Sequence, residues 1–377
     1  DEIRRTNDQK RSKTLPARQE IKRLNRSIKR KSEKGKQSAT RRHLRATSVR
    51  LSPSMAAGVH QKADRCVERL GIDSPLELYA YASPQFNAAC FKPEEGRVFI
   101  MFSSSLLEAF SDSELLFVMG HELGHHVYDH HKIPIGYLLR GRQPPPADLA
   151  LDLFAWSRYA EISADRAGAF CAQDLESVAR ALFKLASGIT DERVVRFELH
   201  EFLAQVDDML AYDDKPGQGA PKQDWFSTHP FSPLRVKALK LFHESDLMAA
   251  TGIDKSTLED QVHQVMSLME PDYLQGKTDS SRAMRDLFLA AAVVIANTYE
   301  GISKKERDTL KRYLGEAYSL DTLDSDRLKE DLPRRTAEVK IRASHTQRMQ
   351  VLRDLCVVAA TEQPISDAER DLLNHIA

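Results

Sequence analysis

The chain contains two histidines four residues apart, with a glutamate directly after the first. His121, Glu122 and His125 read H-E-x-x-H within the segment Val118–His131. In a helix, residues four apart differ by about 40° around the axis, so both imidazoles project from one face. Two neutral imidazoles placed in this way can bind a zinc ion, and Glu122 can reach a water on that ion. A catalytic zinc needs a third protein ligand, which must come from elsewhere in the chain.

Glu161 is the candidate for that third ligand. It follows His125 by 36 residues, in the sequence E-I-S-A-D. Asp165 lies one turn further along the same helix face, where it is placed to accept a hydrogen bond from a ligand imidazole. Alone, Glu161 would be interpreted as an exposed helical carboxylate. Its position after H-E-x-x-H, with Asp165 and Gly168 behind it, favours metal binding.

The surroundings of the motif argue against a chance pattern in a surface helix. The residues before and between the ligands are apolar or small: Phe117, Val118, Met119, Leu123 and Gly124. Polar side chains on so apolar a helix indicate a function. His126 is rotated by about 100° from His125 and cannot share its face. We expect His130 and His131, near the helix end, to be surface residues favoured by the helix dipole rather than ligands.

Hydrophobic spacing and turn residues predict the elements that position these side chains. A capping box of Ser111 and Glu114 starts the helix of the motif. Leu76–Tyr81 and Val98–Phe102 are predicted strands, and a hairpin is expected in 76–102. The other predicted elements are helices Ser54–Leu70, Ala147–Cys171, Leu175–Ala186 and Pro233–Phe242, a stiff connector Pro144–Pro146, and a loop Asp207–Trp225.

Charge is unevenly distributed along the chain. The composition, with 41% hydrophobic and 29% charged residues, is that of an ordinary globular protein,. Residues 1–50, however, hold 18 Lys and Arg against 5 Asp and Glu. We interpret them as a solvated basic arm, partly helical or disordered. A sharper alternative is an arm that contacts nucleic acid or an anionic membrane.

The cysteines and the apolar segments bear on the cellular compartment in which the protein is expected to lie. Cys66, Cys90, Cys171 and Cys356 form no C-x-x-C pair, which argues against a cysteine zinc site and favours a reducing environment,. The longest apolar run, Leu287–Ala296, is too short to span a bilayer, and no signal-peptide pattern is present. These features predict a soluble, cytoplasmic protein. Because the chain opens on Asp1 rather than Met, a removed leader stays compatible with the sequence.

The C-terminal part contains an internal repeat. Val294–Ala296 followed by Ile302–Asp308 recurs 63 residues later as Val357–Ala359 followed by Ile365–Asp371. Each copy is an apolar helix, a turn and a capping box that opens a second helix. The two boxes pair Ser303 with Glu306 and Ser366 with Glu369. Two such hairpins predict a small all-helical domain at 285–377.

The combined motifs resemble the M48 family of zinc metallopeptidases over residues 55–245. The resemblance rests on H-E-x-x-H, on Glu161 with Asp165, and on Thr228-His229-Pro230 with Arg235. Asn87-Ala88 also resembles the family's Asn-Ala-Phe segment, with Ala89 where an aromatic residue is usual. The pattern is that of the family's CAAX prenyl, HtpX and BepA proteases, although the spanning helices of its membrane-embedded members are missing. The C-terminal repeat resembles TerB-like helical domains.

The resemblance implies a role for each site residue. His121, His125 and Glu161 would bind one zinc ion per chain, and Glu122 would be the base that activates a zinc-bound water. His229 would stabilise the oxyanion, and Arg235 would brace the His229 loop. Independently of the family, the hairpin beside the motif helix offers an edge for an extended substrate, and the resemblance implies that Asn87 and Ala88 belong to that edge.

The sequence therefore predicts a mainly α, α+β protein. A basic arm (1–50) would precede a zincin-type metallopeptidase domain (51–245), a helical connector (246–284) and a TerB-like domain (285–377). The predicted function is a zinc endopeptidase that cleaves extended or unfolded protein segments. The alternative is a latent zinc-binding interaction protein whose TerB-like domain recruits partners, with the Pro144–Pro146 or Asp207–Trp225 segment covering the cleft. A nucleic-acid or membrane-surface binder led by the basic arm ranks last, because the chain lacks a recognisable binding motif.

Overall fold

The computed structural model describes residues 2–34, 39–139, 147–213, 228–269, 273–275, 279–298, 301–314, 323–343, 345–361 and 365–377. It divides into two compact units, residues 1–206 with 227–259 and residues 207–226 with 260–377. The helices of the first unit are α1 (Thr6–Thr14), α2 (Gln19–Lys34), α3 (Ala39–Thr47), α4 (Ala57–Leu70), α5 (Ser104–Ala109), α6 (Asp112–Val127), α7 (Ile135–Leu139), α8 (Ala147–Ala172), α9 (Leu175–Ser187) and α11 (Ser232–His243). The boundary between the units falls within α10 (Leu199–Asp213) and α12 (Lys255–Met266).

Two helices that pack unusually closely form the centre of the first unit. Helix α6 begins at the predicted capping box, in which Ser111 Oγ accepts from the Glu114 N–H. It crosses α8 at glycines: a Cβ on Gly168 would lie 2.5 Å from the Phe117 carbonyl oxygen, and one on Gly124 would lie 2.9 Å from a side chain of α8. Only residues without a side chain allow this approach. The crossing brings Glu161 of α8 to the histidine face of α6.

A four-stranded sheet lies beside α6. Its strands are β1 (Val49–Leu51), β2 (Leu76–Tyr81), β3 (Ala88–Glu94) and β4 (Arg97–Ser103), in the order β1-β2-β4-β3. The hairpin of the predicted 76–102 region is β3 with β4, whereas β2 and β4 are parallel neighbours. Glu95 and Gly96, both with positive φ, form the turn, as tight hairpins require,. Strand β3 is consequently an edge strand, and it packs against α6.

The basic N-terminal segment differs from the solvated arm that its charge suggested. Leu15 and Ile21 are buried with Ile133, Leu153 and other apolar residues of the first unit. Helix α3 covers the sheet by burying Leu44, and β1 extends the sheet by pairing with β2. A thin stripe of apolar residues is thus sufficient to dock the segment, while most of its basic side chains stay on the outer face. Contact of that face with nucleic acid or a membrane stays a prediction.

The second unit is helical where it is described. Its helices are α13 (Asp279–Ala296), α14 (Lys304–Leu314), α15 (Ser325–Arg342), α16 (His345–Ala359) and α17 (Asp367–Ile376). Both predicted capping boxes are present: the Ser303 N–H donates to Glu306 Oε2 at 2.9 Å, and the Ser366 N–H donates to Glu369 Oε2 at 2.8 Å. Helix α13 is buried along most of its length and forms the centre of a hydrophobic core that belongs to this unit.

Three sequence predictions can be placed only partly. The predicted connector 246–284 divides between the two units, because the boundary lies at Glu259. The first residues of the predicted 207–225 loop are helical and belong to α10, while 214–225 and Pro144–Pro146 lie outside the described residues. Among the helices of the described ranges, none is both long enough and apolar enough to cross a bilayer.

Candidate metal centre

Three side chains from two helices converge on one point. His121 Nε2 lies 3.2 Å from His125 Nε2, and each of these nitrogens lies 3.5 Å from a carboxylate oxygen of Glu161. Glu161 is 6% exposed, and its Oε2 has no hydrogen-bond partner. Within the described part of the chain, this is the one group of three or more potential ligands that could hold a metal ion. The predicted ligands are therefore brought together.

Asp165 and Arg235 orient the first histidine. His121 Nδ1 lies 2.9 Å from Asp165 Oδ1, and the Arg235 guanidinium donates to both Asp165 oxygens at 2.6 and 2.8 Å. Burial raises the pKa of Asp165, but Arg235 and His121 outweigh it and hold that pKa well below its usual range. The carboxylate therefore stays ionised and keeps the His121 proton on Nδ1. Nε2 is left with its lone pair directed at the cluster.

A second pair of residues orients the other histidine. His125 Nδ1 lies 2.8 Å from His130 Nδ1, and His130 Nε2 lies 3.1 Å from Asp8 Oδ2. The prediction that His130 is a surface residue is wrong, because it is 6% exposed. Helix α6 ends at Val127, and Asp129 adopts a left-handed conformation with φ 58°. This turn, which aspartate tolerates, returns the His130 ring to the helix that it has just left.

His131, the other histidine of this turn, is only partly exposed. It is partly buried, and its Nε2 is enclosed without a hydrogen-bond partner. The prediction that His131 lies at the surface is therefore only partly correct. The chain turns back against the domain instead of continuing outward as a helix.

The candidate base lies between the histidines and the edge strand. Glu122 Oε2 accepts a hydrogen bond of 2.7 Å from the Cys90 N–H of β3. Burial raises the pKa of Glu122, and His121 and the Cys90 N–H lower it only in part, so the net shift is upward. Burial also raises the pKa of the Cys90 thiol, with Glu122 adding to the shift. A carboxyl group with a raised pKa is suited to taking a proton and passing it on.

The remaining predicted residues border the cluster. The His229 side chain is 63% exposed, and its Nε2 lies 3.5 Å from Glu161 Oε1. Thr228 Oγ1 lies 2.9 Å from His229 Nδ1 and so helps to fix the ring. Asn87 and Ala88 lie at the start of the edge strand, where the Asn87 carbonyl accepts from the Ser103 N–H of β4. Bracing of the His229 loop by Arg235 stays a prediction.

The donor set fits a zinc ion. In the assignment that places the protons of both imidazoles on Nδ1, two Nε2 lone pairs face each other and a carboxylate oxygen of Glu161 that has no hydrogen-bond partner. A cation resolves this arrangement, and two imidazoles with one carboxylate are a known zinc set. The pKa shifts agree for His125, whose pKa is lowered by burial and by His121. For His121, burial lowers the pKa, but Asp165 and Glu161 outweigh it and the net shift is upward.

The helix pair, the His–His–Glu cluster and the adjacent edge strand form one site, in which the three side chains could hold a metal ion. The profile of peptidase family M48 matches residues 53–141 and 147–242, so this part of the chain is a peptidase family M48 domain. The plastoglobule-localized metallopeptidase 48 of Arabidopsis thaliana, a chloroplast protein, is 34% identical over 151 residues. These residues cover 38% of this chain and 44% of that relative. The chain thus spans less than half the length of the relative, and no solved structure matches it.

Sequence reasoning missed three residues that touch the site: Asp8, His130 and Cys90. Asp8 belongs to a segment that composition had marked as an arm, 122 residues before its partner His130. His130 lies five residues after His125. This short spacing would have predicted contact between the two rings if the helix had been predicted to end before Asp129. Cys90 contributes a backbone N–H, for which side-chain type carries no signal.

Proposed function

We propose that the chain is a zinc-dependent endopeptidase that hydrolyses peptide bonds in extended protein segments. The observation that carries the proposal is the convergence of His121, His125 and Glu161 beside the Glu122 carboxylate. One zinc ion would be held by the first three residues. A zinc ion supplies Lewis-acid activation of water and of a carbonyl group. The family match over 53–242 supports the reaction type.

Two side chains perform the proton and charge chemistry in this proposal. Glu122 takes a proton from the attacking water and delivers it to the leaving amine, which its raised pKa favours,. His229 places an N–H at the edge of the cluster, where negative charge develops on the scissile carbonyl oxygen. Removal of a donor with this role costs on the order of 3 kcal/mol in comparable sites. Asp165, held by Arg235, keeps His121 in the tautomer that leaves Nε2 free.

The edge strand supplies the basis for substrate binding. Asn87 pairs with Ser103 of β4, and groups along an antiparallel strand alternate between its two sides,. The backbone groups of Ala88 and Cys90 therefore face away from β4, as the bond from the Cys90 N–H to Glu122 illustrates. An extended peptide that added to this edge would pass directly in front of the cluster. We therefore propose unfolded or extended segments as substrates.

The test compares wild type with Glu122→Gln in casein cleavage, with the zinc content of each protein measured. We expect one equivalent of zinc in both proteins and a loss of kcat on the order of 10²–10⁴ in the variant. Glu176→Gln, which changes an exposed glutamate of α9, is the matched control and should behave as wild type. Cleavage that is unaffected by Glu122→Gln would refute the mechanism.

A second measurement addresses the substrate class. One protein is offered in its folded form and in a destabilised, unfolded form at equal concentration. Binding along β3 requires several consecutive extended residues, so we expect cleavage of the unfolded form at a much higher rate. Equal rates for the two forms would contradict recognition by strand addition.

The alternative proposal is a latent zinc-binding protein with a TerB-like interaction domain. It is supported by the second unit, which has a hydrophobic core of its own and therefore does not depend on the peptidase unit for burial. Partner binding would then be the function of that unit. One equivalent of bound zinc without cleavage by either wild type or Glu122→Gln would favour this alternative over the endopeptidase.

A further inference from the structure

Asp8 completes a chain of hydrogen-bonding groups that begins at a proposed metal ligand. His125 Nδ1 lies 2.8 Å from His130 Nδ1, and His130 Nε2 lies 3.1 Å from Asp8 Oδ2. Asp8 is fully buried, and His130 is 6% exposed. Asp8 belongs to α1, which precedes the family match at 53–242. The metal centre is therefore in contact, through one imidazole, with a segment outside the matched domain.

The Asp8 carboxylate determines which nitrogen of His130 carries the proton. A carboxylate only accepts hydrogen bonds, so His130 must hold its proton on Nε2, facing Asp8. His130 Nδ1 then carries a lone pair and accepts from the Nδ1–H of His125. His125 Nε2 is thereby left with the lone pair that faces His121 and Glu161. One carboxylate thus sets the tautomers of two rings, and the second ring is the metal ligand.

The surroundings of Asp8 keep it charged and in place. It accepts from Arg4 Nε at 2.7 Å, from Ser12 Oγ at 2.9 Å and from Trp156 Nε1 at 3.2 Å. Burial raises the pKa of Asp8, but the hydrogen bonds from His130 and Arg4 outweigh it and bring that pKa well below its usual range. A side chain with four donors around it cannot rotate without losing several charge-assisted bonds.

A buried ion cluster anchors the same helix independently. Arg5 Nε lies 3.1 Å from Glu259 Oε2, and Arg166 Nη1 lies 2.6 Å from Glu259 Oε1. Both arginines are fully buried. Removal of one partner from such a cluster is strongly unfavourable, so the start of α1 is held against α8 and α12. Asp8 is consequently fixed on a rigid element, as orientation of a ligand requires.

We propose that Asp8 is a positioning residue of the metal centre, which orients His125 through His130 and makes the N-terminal helix part of the peptidase. The proposal rests on the zinc site proposed above. It differs from the symmetrical role of Asp165, which touches His121 directly and lies within the matched domain. The two ligand histidines are thus held by carboxylates from different segments, one directly and one through an intervening imidazole.

The test measures zinc affinity by chelator competition for wild type, Asp8→Ala, His130→Gln and the double variant. We expect Asp8→Ala to weaken zinc binding by about 10-fold or more, as loss of an outer partner of a metal ligand does. In the His130→Gln background the same change should alter affinity by less than about 2-fold, because the connection to His125 is already broken. Cobalt-loaded Asp8→Ala should also show an altered visible absorption spectrum.

Asp152→Ala is the matched control, because it removes another contact of α1. Arg11 Nη1 donates to Asp152 Oδ1 at 2.9 Å, away from His130. Asp152→Ala should bind zinc as wild type does. If Asp8→Ala does not fold, Asp8→Asn, which keeps the volume, takes its place. An Asp8 variant that binds zinc as tightly as Asp152→Ala, or that loses equal affinity with and without His130, would overturn the inference. A wild-type protein that binds no zinc would instead overturn the proposed function.

Discussion

Glu122 Oε2 and the Cys90 backbone nitrogen are joined by a hydrogen bond of 2.7 Å, so the candidate base is held by the same edge strand that is proposed to bind the substrate. The bond crosses from α6 to β3 and fixes the carboxylate beside the His–His–Glu cluster. Orientation of the base and exposure of the substrate-binding edge therefore depend on the same stretch of backbone.

Replacement of Cys90 by proline should impair catalysis without removing the metal. Proline lacks the N–H that Glu122 accepts, and an edge strand tolerates proline where the N–H faces away from the sheet. A hydrogen bond to a charged group contributes about 1.5–3 kcal/mol, so we expect kcat to fall by about 10-fold or more. Cys90→Ala keeps the N–H and serves as the control. Equal kcat values for the two variants, at equal zinc content, would show that this bond does not orient the base.

The close crossing of α6 and α8 leads to a second prediction. In Gly168→Ala the new methyl group would lie 2.5 Å from the Phe117 carbonyl oxygen, so the helices must separate. Overpacking of this kind costs about 1–3 kcal/mol. Because Glu161 lies on the same helix two turns earlier, zinc affinity should fall together with the melting temperature.

Gly58→Ala provides the control for this change. Gly58 lies in α4, and the nearest atom to its added Cβ is Lys62 Nζ at 3.7 Å. Alanine is favoured over glycine within a helix by up to about 1 kcal/mol, so Gly58→Ala should be neutral or stabilising. A Gly168→Ala protein as stable as Gly58→Ala, with unchanged zinc affinity, would mean that the crossing can relax without moving Glu161.

The convergence of His121, His125 and Glu161 could be predicted from sequence because it depends on short spacings within two helices. H-E-x-x-H places His121 and His125 on one helix face by helix geometry alone. Glu161 and Asp165, also four residues apart, share a face of α8 for the same reason. Strands β2 and β4 and helices such as α6, with its Ser111–Glu114 capping box, likewise follow from local patterns, whereas β1 and β3 were not predicted. What the sequence could not supply was pairing between distant segments, such as the parallel contact of β2 with β4.

Asp8 shows the physical reason for that limit. Its segment is strongly basic, and composition alone favours a solvated arm. Docking is decided instead by a few apolar side chains, such as Leu15 and Ile21, and by the carboxylate of Asp8 itself. Such contacts depend on the three-dimensional position of His130, which in turn depends on a single turn at Asp129. Periodicity carries no information about either.

Replacement of Arg235 tests the support of the first histidine. In Arg235→Met the buried Asp165 carboxylate loses both hydrogen bonds from the guanidinium, at 2.6 and 2.8 Å. Breaking a buried pair by removing one partner costs about 3–5 kcal/mol. We expect a lower free energy of unfolding and weaker zinc binding, because Asp165 no longer fixes His121. Lys240→Met changes an exposed cation on the same helix, α11, and should shift stability by less than about 0.5 kcal/mol,. Similar melting temperatures for the two variants would contradict the supporting role.

Stability should depend on pH through His131, whose ring is partly buried, with its Nε2 enclosed and without a hydrogen-bond partner. Burial, with His130, His126 and Lys92 nearby, lowers the pKa of His131 to about 4 from 6.5. Between these two values the unfolded chain binds a proton that the folded chain does not bind. The stability that depends on a neutral His131 ring is therefore fully present above pH 6.5 and is lost as the pH falls toward 4,.

The change His131→Gln should flatten this dependence. Between pH about 7 and about 5, wild type should lose on the order of 1 kcal/mol more stability than the variant, because glutamine does not titrate. The measurement is the urea midpoint of unfolding at each pH, for metal-free protein. His200→Gln, which replaces an exposed histidine of α10, should leave the wild-type slope in place. If the slopes of His131→Gln and wild type coincide, the acid sensitivity of the fold arises from other groups.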